Sequence, residues 1–286
     1  MSGLVHIPDD VRIVDGHVHA WPHGLIHVVQ HEQVPMAASP ADLLATLEAS
    51  GVDAVLVSPA GVHPDNGYIL GAAGTAPSRI FAVAGIDPRD PVAVAGIADQ
   101  ARFGAIAIRV NLGARPLEGD ADLAGLDALV DATADAGLTL QWTMRLPSAG
   151  LIERAAGRRP ALPQVFDHLG LPMDARDLSQ LERMRDLAAI ESVRIKLSGM
   201  YALSDDGYPY RDTWPWAEGV VAAFGAKRTL WASDWPLAGE SATHRQHLDL
   251  VAQLPFLDAP ARGWILRGTA LALWGAVATQ ARGSAR

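Results

Sequence analysis

The sequence predicts an α/β protein, a (β/α)8 barrel built as a single domain over residues 1–286, on three observations. Eight short apolar runs recur along the chain, too many and too regularly spaced for a small open sheet. Their hydrophobicity is continuous rather than alternating, which suits parallel strands covered on both faces. The segments between them begin on Ser-Pro or Asp-Pro and end on glycine, the punctuation of helices. An open doubly wound sheet is the rival architecture. The chain lacks the Gly-rich dinucleotide or P-loop signature that such a sheet often carries.

The runs, in order, are Arg12–His19, Ala54–Pro59, Ile80–Asp87, Ala105–Leu112, Leu138–Met144, Leu162–Leu169, Val193–Met200 and Arg228–Trp235. Between the first two, Ser39-Pro40 opens a helix with leucines at 43, 44 and 47, and Gly51 closes it. Asp90-Pro91 and Gly104 bracket another, and Gly137 and Gly225 stand just ahead of the fifth and eighth runs. No internal repeat or low-complexity tract interrupts this order. The tail beyond Trp274 is expected to fray.

Composition limits the function. A chain of 286 residues, 49% hydrophobic, can bury a large core. A formal net charge of −9 argues against nucleic acid or an anionic membrane as partner and leaves small-molecule substrates open. The absence of cysteine excludes disulfides, thiolate metal sites and a cysteine nucleophile. No apolar run reaches the ~18 residues that a membrane helix needs. Residues 1–10 lack the basic and apolar regions of a signal peptide, so the expected location is the cytoplasm. A homo-oligomer is left open.

Polar residues gather at the C-terminal ends of the runs, the face where barrel enzymes carry their sites. His17 and His19 end the first, Arg109 and Asn111 the fourth, His168 the sixth, Ser198 the seventh and Asp234 the eighth, while Arg145 follows the fifth. Histidines at i and i+2 of a strand project to the same side. Such a pair can hold a divalent metal or hydrogen-bond a substrate oxygen. A carboxylate such as Asp234 can take a proton from water while imidazoles stabilise charge on an attacked carbonyl oxygen.

Four motifs carry a resemblance. Asp15-Gly16-His17-Val18-His19, Val165-Phe166-Asp167-His168-Leu169-Gly170, Lys196-Leu197-Ser198-Gly199-Met200-Tyr201 and Trp231-Ala232-Ser233-Asp234-Trp235-Pro236 resemble successive motifs of the amidohydrolase superfamily. More narrowly, they resemble the branch of 2-pyrone-4,6-dicarboxylate lactonase and the sugar-lactone hydrolases. The resemblance implies an amidohydrolase-like barrel that opens the ester of a small lactone, sugar-acid or carboxylate-bearing. Asp234 would activate water and His17, His19 and His168 would polarise the carbonyl. A metal-dependent decarboxylase, a hydratase or a lactone isomerase on the same barrel is one alternative, and a non-catalytic ligand-binding barrel another.

Departures from the superfamily bear on cofactors. Members with two metals usually add a fifth-strand histidine and a fourth-strand lysine or glutamate, and this chain has none of these there. A binuclear centre is therefore not expected. One divalent metal such as Zn2+ on His17, His19 and Asp234, or none, remains open. Arg109 is the first candidate to grip a substrate carboxylate, because a guanidinium binds one in bidentate fashion, and Arg145 is the second. Asn111 and Ser198 would contact hydroxyls, and Tyr208 would stack on a planar ring. Lys196 lies deeper and is expected to pair with a buried group such as Asp15. His23, His27 and His31 would form one stripe on a helix, or a loop over the barrel mouth.

Overall fold

A computed structural model of the chain describes residues 5–22, 26–29, 32–35, 38–60, 65–113 and 115–276. Ten strands are present among them. They are β1 (Val14–His19), β2 (Ile26–Val29), β3 (Glu32–Pro35), β4 (Ala54–Ser58), β5 (Ile80–Gly85), β6 (Ala105–Asn111), β7 (Thr139–Thr143), β8 (Gln164–Phe166), β9 (Val193–Leu197) and β10 (Thr229–Trp231). Each of the eight apolar runs contains one barrel strand. All seven neighbouring pairs are parallel, in the order β1-β4-β5-β6-β7-β8-β9-β10. The ends of the sheet meet just beyond β10. There Val18 bridges Trp235, His19 N–H donates to Trp235 O at 2.7 Å, and Asp234 N–H donates to His17 O at 2.9 Å.

The continuous apolar strands are explained by two buried layers that share each strand alternately. In β4, Val55 and Val57 pack with helix residues such as Leu43 and Leu47, while Ala54 and Leu56 join Phe81, Val83 and Val165 in a second cluster. Ile7 and Trp274 complete that inner cluster at the barrel floor. Further along the same inward positions the lining turns polar. Arg109, Gln141, Asp167 and Lys196 are all 5% exposed or less. The site therefore rests on an apolar plug and is walled by buried charge.

Helix Pro40–Ser50 starts as the sequence predicts. Ser39 and Asp42 form a reciprocal capping box, with proline at the first helical position. The segment from Asp90 to Gly104 holds two short helices, Pro91–Ala95 and Ile97–Arg102, because Gly96 caps the first before the second begins. The histidine stripe is corrected. His27 lies on β2, which pairs antiparallel with β3, so the segment is no helix there. The β-branched residues Ile26, Val28, Val29 and Val34 favour that pairing. His23 and His31 lie outside the described residues, as does the tail beyond residue 276.

Candidate active site

The first strand brings its histidines together in spite of an irregularity. Pairing of β1 with β4 shifts register between Asp15 and Val18, where a bulge re-aims the chain. Gly16 sits within that shift because a Cβ there would meet Leu230 Cδ1 at 2.7 Å and Trp231 O at 3.0 Å. Asp15, wholly buried, pins the same spot. Its Oδ1 accepts from His17 N–H at 3.1 Å and Ser233 N–H at 3.0 Å, and its Oδ2 lies 2.9 Å from His244 Nε2. Asp15 thus ties β1 to the segment carrying Asp234.

At the barrel mouth three atoms face one another. His17 Nε2 and His19 Nε2 are 3.2 Å apart, and Asp234 Oδ1 stands 3.5 Å and 3.2 Å from them. His168 closes the group edge-on, its ring centroid 5.0 Å from that of His17. Backbone strain concentrates here, as it does at functional sites. Asp234 has φ 63°, and His168, Leu169, Gly170 and Leu171 form a left-handed turn with φ 52°, 52°, 79° and 45°. Hydrogen bonds fix that turn: Trp216 Nε1–H donates to Leu169 O at 3.0 Å and Leu171 N–H to His168 O at 3.0 Å. The Gly199 backbone lies so close that a Cβ would stand 2.6 Å from the Cβ of His168. Ser198 Oγ is 3.0 Å from His168 Nδ1.

Below this lies a buried ionic cluster. Asp167, preceding His168, meets Lys196 Nζ at 2.8 Å and Arg109 Nε at 3.3 Å, and accepts from Thr143 Oγ1. Lys196 Nζ also reaches Gln141 Oε1 at 2.8 Å and His17 Nδ1 at 2.9 Å. The Arg109 guanidinium donates further to Thr143 Oγ1 at 2.9 Å and Pro59 O at 3.1 Å. Two cations, Lys196 and Arg109, thus converge on the single carboxylate of Asp167.

Burial shifts these groups in predictable directions. It pushes His17 well below the ordinary imidazole value, helped by the nearby Lys196 and Arg109 charges, and it lowers His168. Both are neutral imidazoles at pH 7. Burial alone would raise the Asp234 carboxyl, but His168, His19 and the Tyr201 hydroxyl outweigh it and hold the group below the usual range. Asp167 is likewise held down, by Lys196 and Arg109 against burial. Asp234 is therefore an ionised carboxylate beside neutral His17 and His168.

The donor set fits one metal ion. A tetrahedral ion with bonds of 2.0–2.1 Å separates its ligand atoms by about 3.3 Å, and the three observed separations lie between 3.2 and 3.5 Å. His19 also has the outer support usual for a ligand, its Nδ1 lying 3.0 Å from Ser58 O. A second grouping, His17, Asp167 and His168, is spaced for an ion as well, but Lys196 and Arg109 already occupy its carboxylate.

Of the residues expected at the site, His17, His19, His168 and Asp234 converge, and Ser198 joins them as the partner of His168. Arg109 is buried, its Nε held by Thr143 and Asp167 and its Nη1 by Pro59 O. Arg145 is exposed, with Nη1 3.3 Å from Pro172 O. Asn111 is exposed and turns its Oδ1 back to Gly113 N–H. Tyr208 is held by Gln253 Nε2 at 2.7 Å and packs edge-to-face on Tyr210. Lys196 pairs with Asp167 rather than Asp15, which is already engaged by His244. Sequence reasoning gave no role to Asp167, Tyr201, Gln141 or His244. Asp167 and Tyr201 stood inside quoted motifs, next to or three residues from a named residue, which was the available signal.

The chain is similar to known proteins. The L-fucono-1,5-lactonase of Burkholderia ambifaria is 29% identical over 278 residues, covering 90% of this chain and 93% of that enzyme. The 4-sulfomuconolactone hydrolase of Rhizobium radiobacter is 36% identical over 107 residues, so the chain matches only 35% of that enzyme's length. A Pseudomonas putida crystal structure assigned as a 2-pyrone-4,6-dicarboxylic acid hydrolase superposes with TM-score 0.75 at 26% identity, over 93% of this chain and 98% of that one. With its parallel barrel, its strand-end histidines and a family model that matches residues 14–276, the chain belongs to the amidohydrolase family.

Proposed function

We propose that this protein is a lactonase that hydrolyses the ring ester of a small sugar lactone. The observation that carries the reading is the arrangement of Asp234 Oδ1 against His17 Nε2 and His19 Nε2 at the barrel mouth. A relative that covers 90% of the chain is named for a sugar lactone, which supports the substrate class. The commitment of Arg109 to Asp167 supports a neutral lactone over a dicarboxylate.

Asp234, ionised and held by Tyr201, accepts a proton from water as the oxygen attacks the lactone carbonyl. Imidazole N–H groups of the histidine cluster stabilise the oxyanion that forms. As the ring C–O bond breaks, the leaving alkoxide takes the proton from Asp234, and the product is an open hydroxy acid. A divalent ion held by His17, His19 and Asp234, when bound, would polarise the carbonyl and acidify water. The decarboxylase alternative is less favoured, because β7 contains no histidine of the kind expected in a zinc decarboxylase on this barrel.

The net charge of −9 supports a small-molecule partner, and among the described residues no helix is long and apolar enough to cross a membrane. The test is a pH-indicator screen of neutral and acidic sugar lactones, run with and without chelator. Turnover of a neutral sugar lactone in the presence of chelator is expected. Release of CO2 from aromatic acids without any lactone hydrolysis would sink the proposal.

A further inference from the structure

We propose that Lys196 sets the tautomer of His17, keeping its proton on Nε2, and thereby makes the barrel mouth a hydrogen-bond-donating site with weakened affinity for divalent metal. Lys196 is wholly buried, and its three ammonium N–H groups have three partners, Asp167 Oδ1 at 2.8 Å, Gln141 Oε1 at 2.8 Å and His17 Nδ1 at 2.9 Å. The Asp167 contact is an ion pair, and the other two are hydrogen bonds. An ammonium can only donate, so His17 Nδ1 accepts and must offer a lone pair. A neutral imidazole has one proton, so it resides on Nε2, the atom that faces His19 and Asp234.

The two histidines of the motif are consequently not equivalent. His19 donates Nδ1–H to Ser58 O, which leaves its Nε2 free to accept or to ligate. Metal-binding histidines generally donate the second N–H to a carboxylate or carbonyl in this way. His17 has the reverse arrangement, a cation at the position where such an acceptor belongs. The acceptor itself is near at hand. Asp167 Oδ2 lies 3.7 Å from His17 Nδ1, so removal of the ammonium would let Asp167 take the Nδ1–H and free Nε2 for a metal. Lys196 touches no reacting atom on this account. It is a positioning residue, and the use of the Nε2–H on a lactone carbonyl rests on the function proposed above, whereas the tautomer does not.

Long-range 15N–1H spectra of the wild-type protein at neutral pH test the tautomer directly, with His17→Asn identifying the His17 signal. The expected spectrum is that of an Nε2–H imidazole. An Nδ1–H pattern at His17 would overturn the proposal without any variant. In Lys196→Met, which keeps the side-chain volume and leaves Arg109 on Asp167, His17 should move to the Nδ1–H form. Zn2+ titrated into that variant should bind about tenfold or more tighter than into wild type, the size of effect that outer-shell partners exert on metal sites. A folded Lys196→Met that binds Zn2+ no tighter also overturns it. Should that variant fail to fold, the wild-type spectrum decides alone. Neither readout uses turnover, so an Nε2–H tautomer in a protein without lactonase activity would count against the function and not against Lys196.

Discussion

The hydroxyl of Tyr201 donates to Oδ2 of Asp234 across 2.6 Å, and this contact makes the two carboxylate oxygens unequal. Oδ2 is occupied, and Oδ1 alone faces the histidine pair. The left-handed backbone of Asp234, with φ 63°, aims the carboxyl inward, and its N–H is tied to His17 O at 2.9 Å. Burial pushes the Tyr201 phenol well above its ordinary value, with Asp234 adding to it, so it stays protonated and remains a donor.

Asp234→Asn should fold and lose about 10²–10⁴ in kcat, the range for removal of a general base. Tyr201→Phe should lose less and shift the pH profile. Its hydroxyl helps hold the Asp234 carboxyl down, so the acid limb of kcat/KM should move to higher pH. An acid limb identical to wild type would reduce Tyr201 to a packing residue.

Arg109→Met tests whether the arginine serves substrate or scaffold. Removing it leaves Asp167 with Lys196 alone, and breaking a buried pair costs about 3–5 kcal/mol. The lower end is expected here because Lys196 remains. Denaturant unfolding should show that loss, and kcat/KM should fall by a similar factor for neutral and acidic lactones. A loss confined to acidic substrates would restore Arg109 as a carboxylate anchor.

Much of this was legible in the sequence, for identifiable reasons. The strands could be located because both faces of each are buried, as Val55 against the helices and Leu56 inside the barrel illustrate. His17, His19, His168 and Asp234 could be placed because strand ends share one face. The hairpin of β2 and β3 was missed because histidines at i, i+4 and i+8 imitate a helical face while Pro22 and Gly24 read as a loop. The partner of Lys196 was missed because strand position gives depth but not azimuth. Asp15 and Asp167 both reach that depth, and only the pairing of Asp15 with His244, 229 residues away, removes it from contention. The pairing of Arg109 with Asp167 was hidden for the same reason, since Asp167 lies two strands away around the barrel.

Gly199→Ala should damage catalysis more than stability. The residue has φ 74°, and its new Cβ would press against the Cβ of His168 at 2.6 Å. The backbone strain costs about 1 kcal/mol, while the displaced imidazole loses its alignment with the carbonyl. Turnover should fall at least tenfold with the fold retained by circular dichroism. Wild-type kcat in the variant would mean that His168 tolerates movement.

Metal content is a separate check. Saturating Zn2+ should give at most one equivalent per chain by elemental analysis, because Lys196 and Arg109 already neutralise the carboxylate of the second His17–Asp167–His168 grouping. Activity should survive prolonged chelation, as the ester is reactive and imidazole N–H groups can polarise it. Two equivalents would contradict the reading of the ionic cluster, and activity lost in chelator and restored by Zn2+ would contradict the second expectation.

Stability should decline on mild acidification, and the histidines determine where. Burial lowers the folded-state values of His17, His168 and His247 below the ordinary 6.5. As pH falls below about 6.5, the unfolded chain takes up protons that the folded chain refuses, so the unfolding free energy drops. Each such group contributes a slope of up to about 1.4 kcal/mol per pH unit between its folded value and 6.5, and nothing above that window. The depressed carboxyls Asp167 and Asp234 act lower down. Their stabilisation is complete above the unfolded value of 3.8 and is lost as pH falls through their folded values. Urea titrations at about pH 7.5 and pH 5 should therefore show a lower midpoint at pH 5, before the depressed carboxyls Asp167 and Asp234 titrate. In His17→Asn the slope between those two conditions should be shallower than in wild type. An unchanged midpoint in wild type would mean that the buried imidazoles accept protons in place, and the neutral histidine cluster on which the mechanism depends would have to be abandoned.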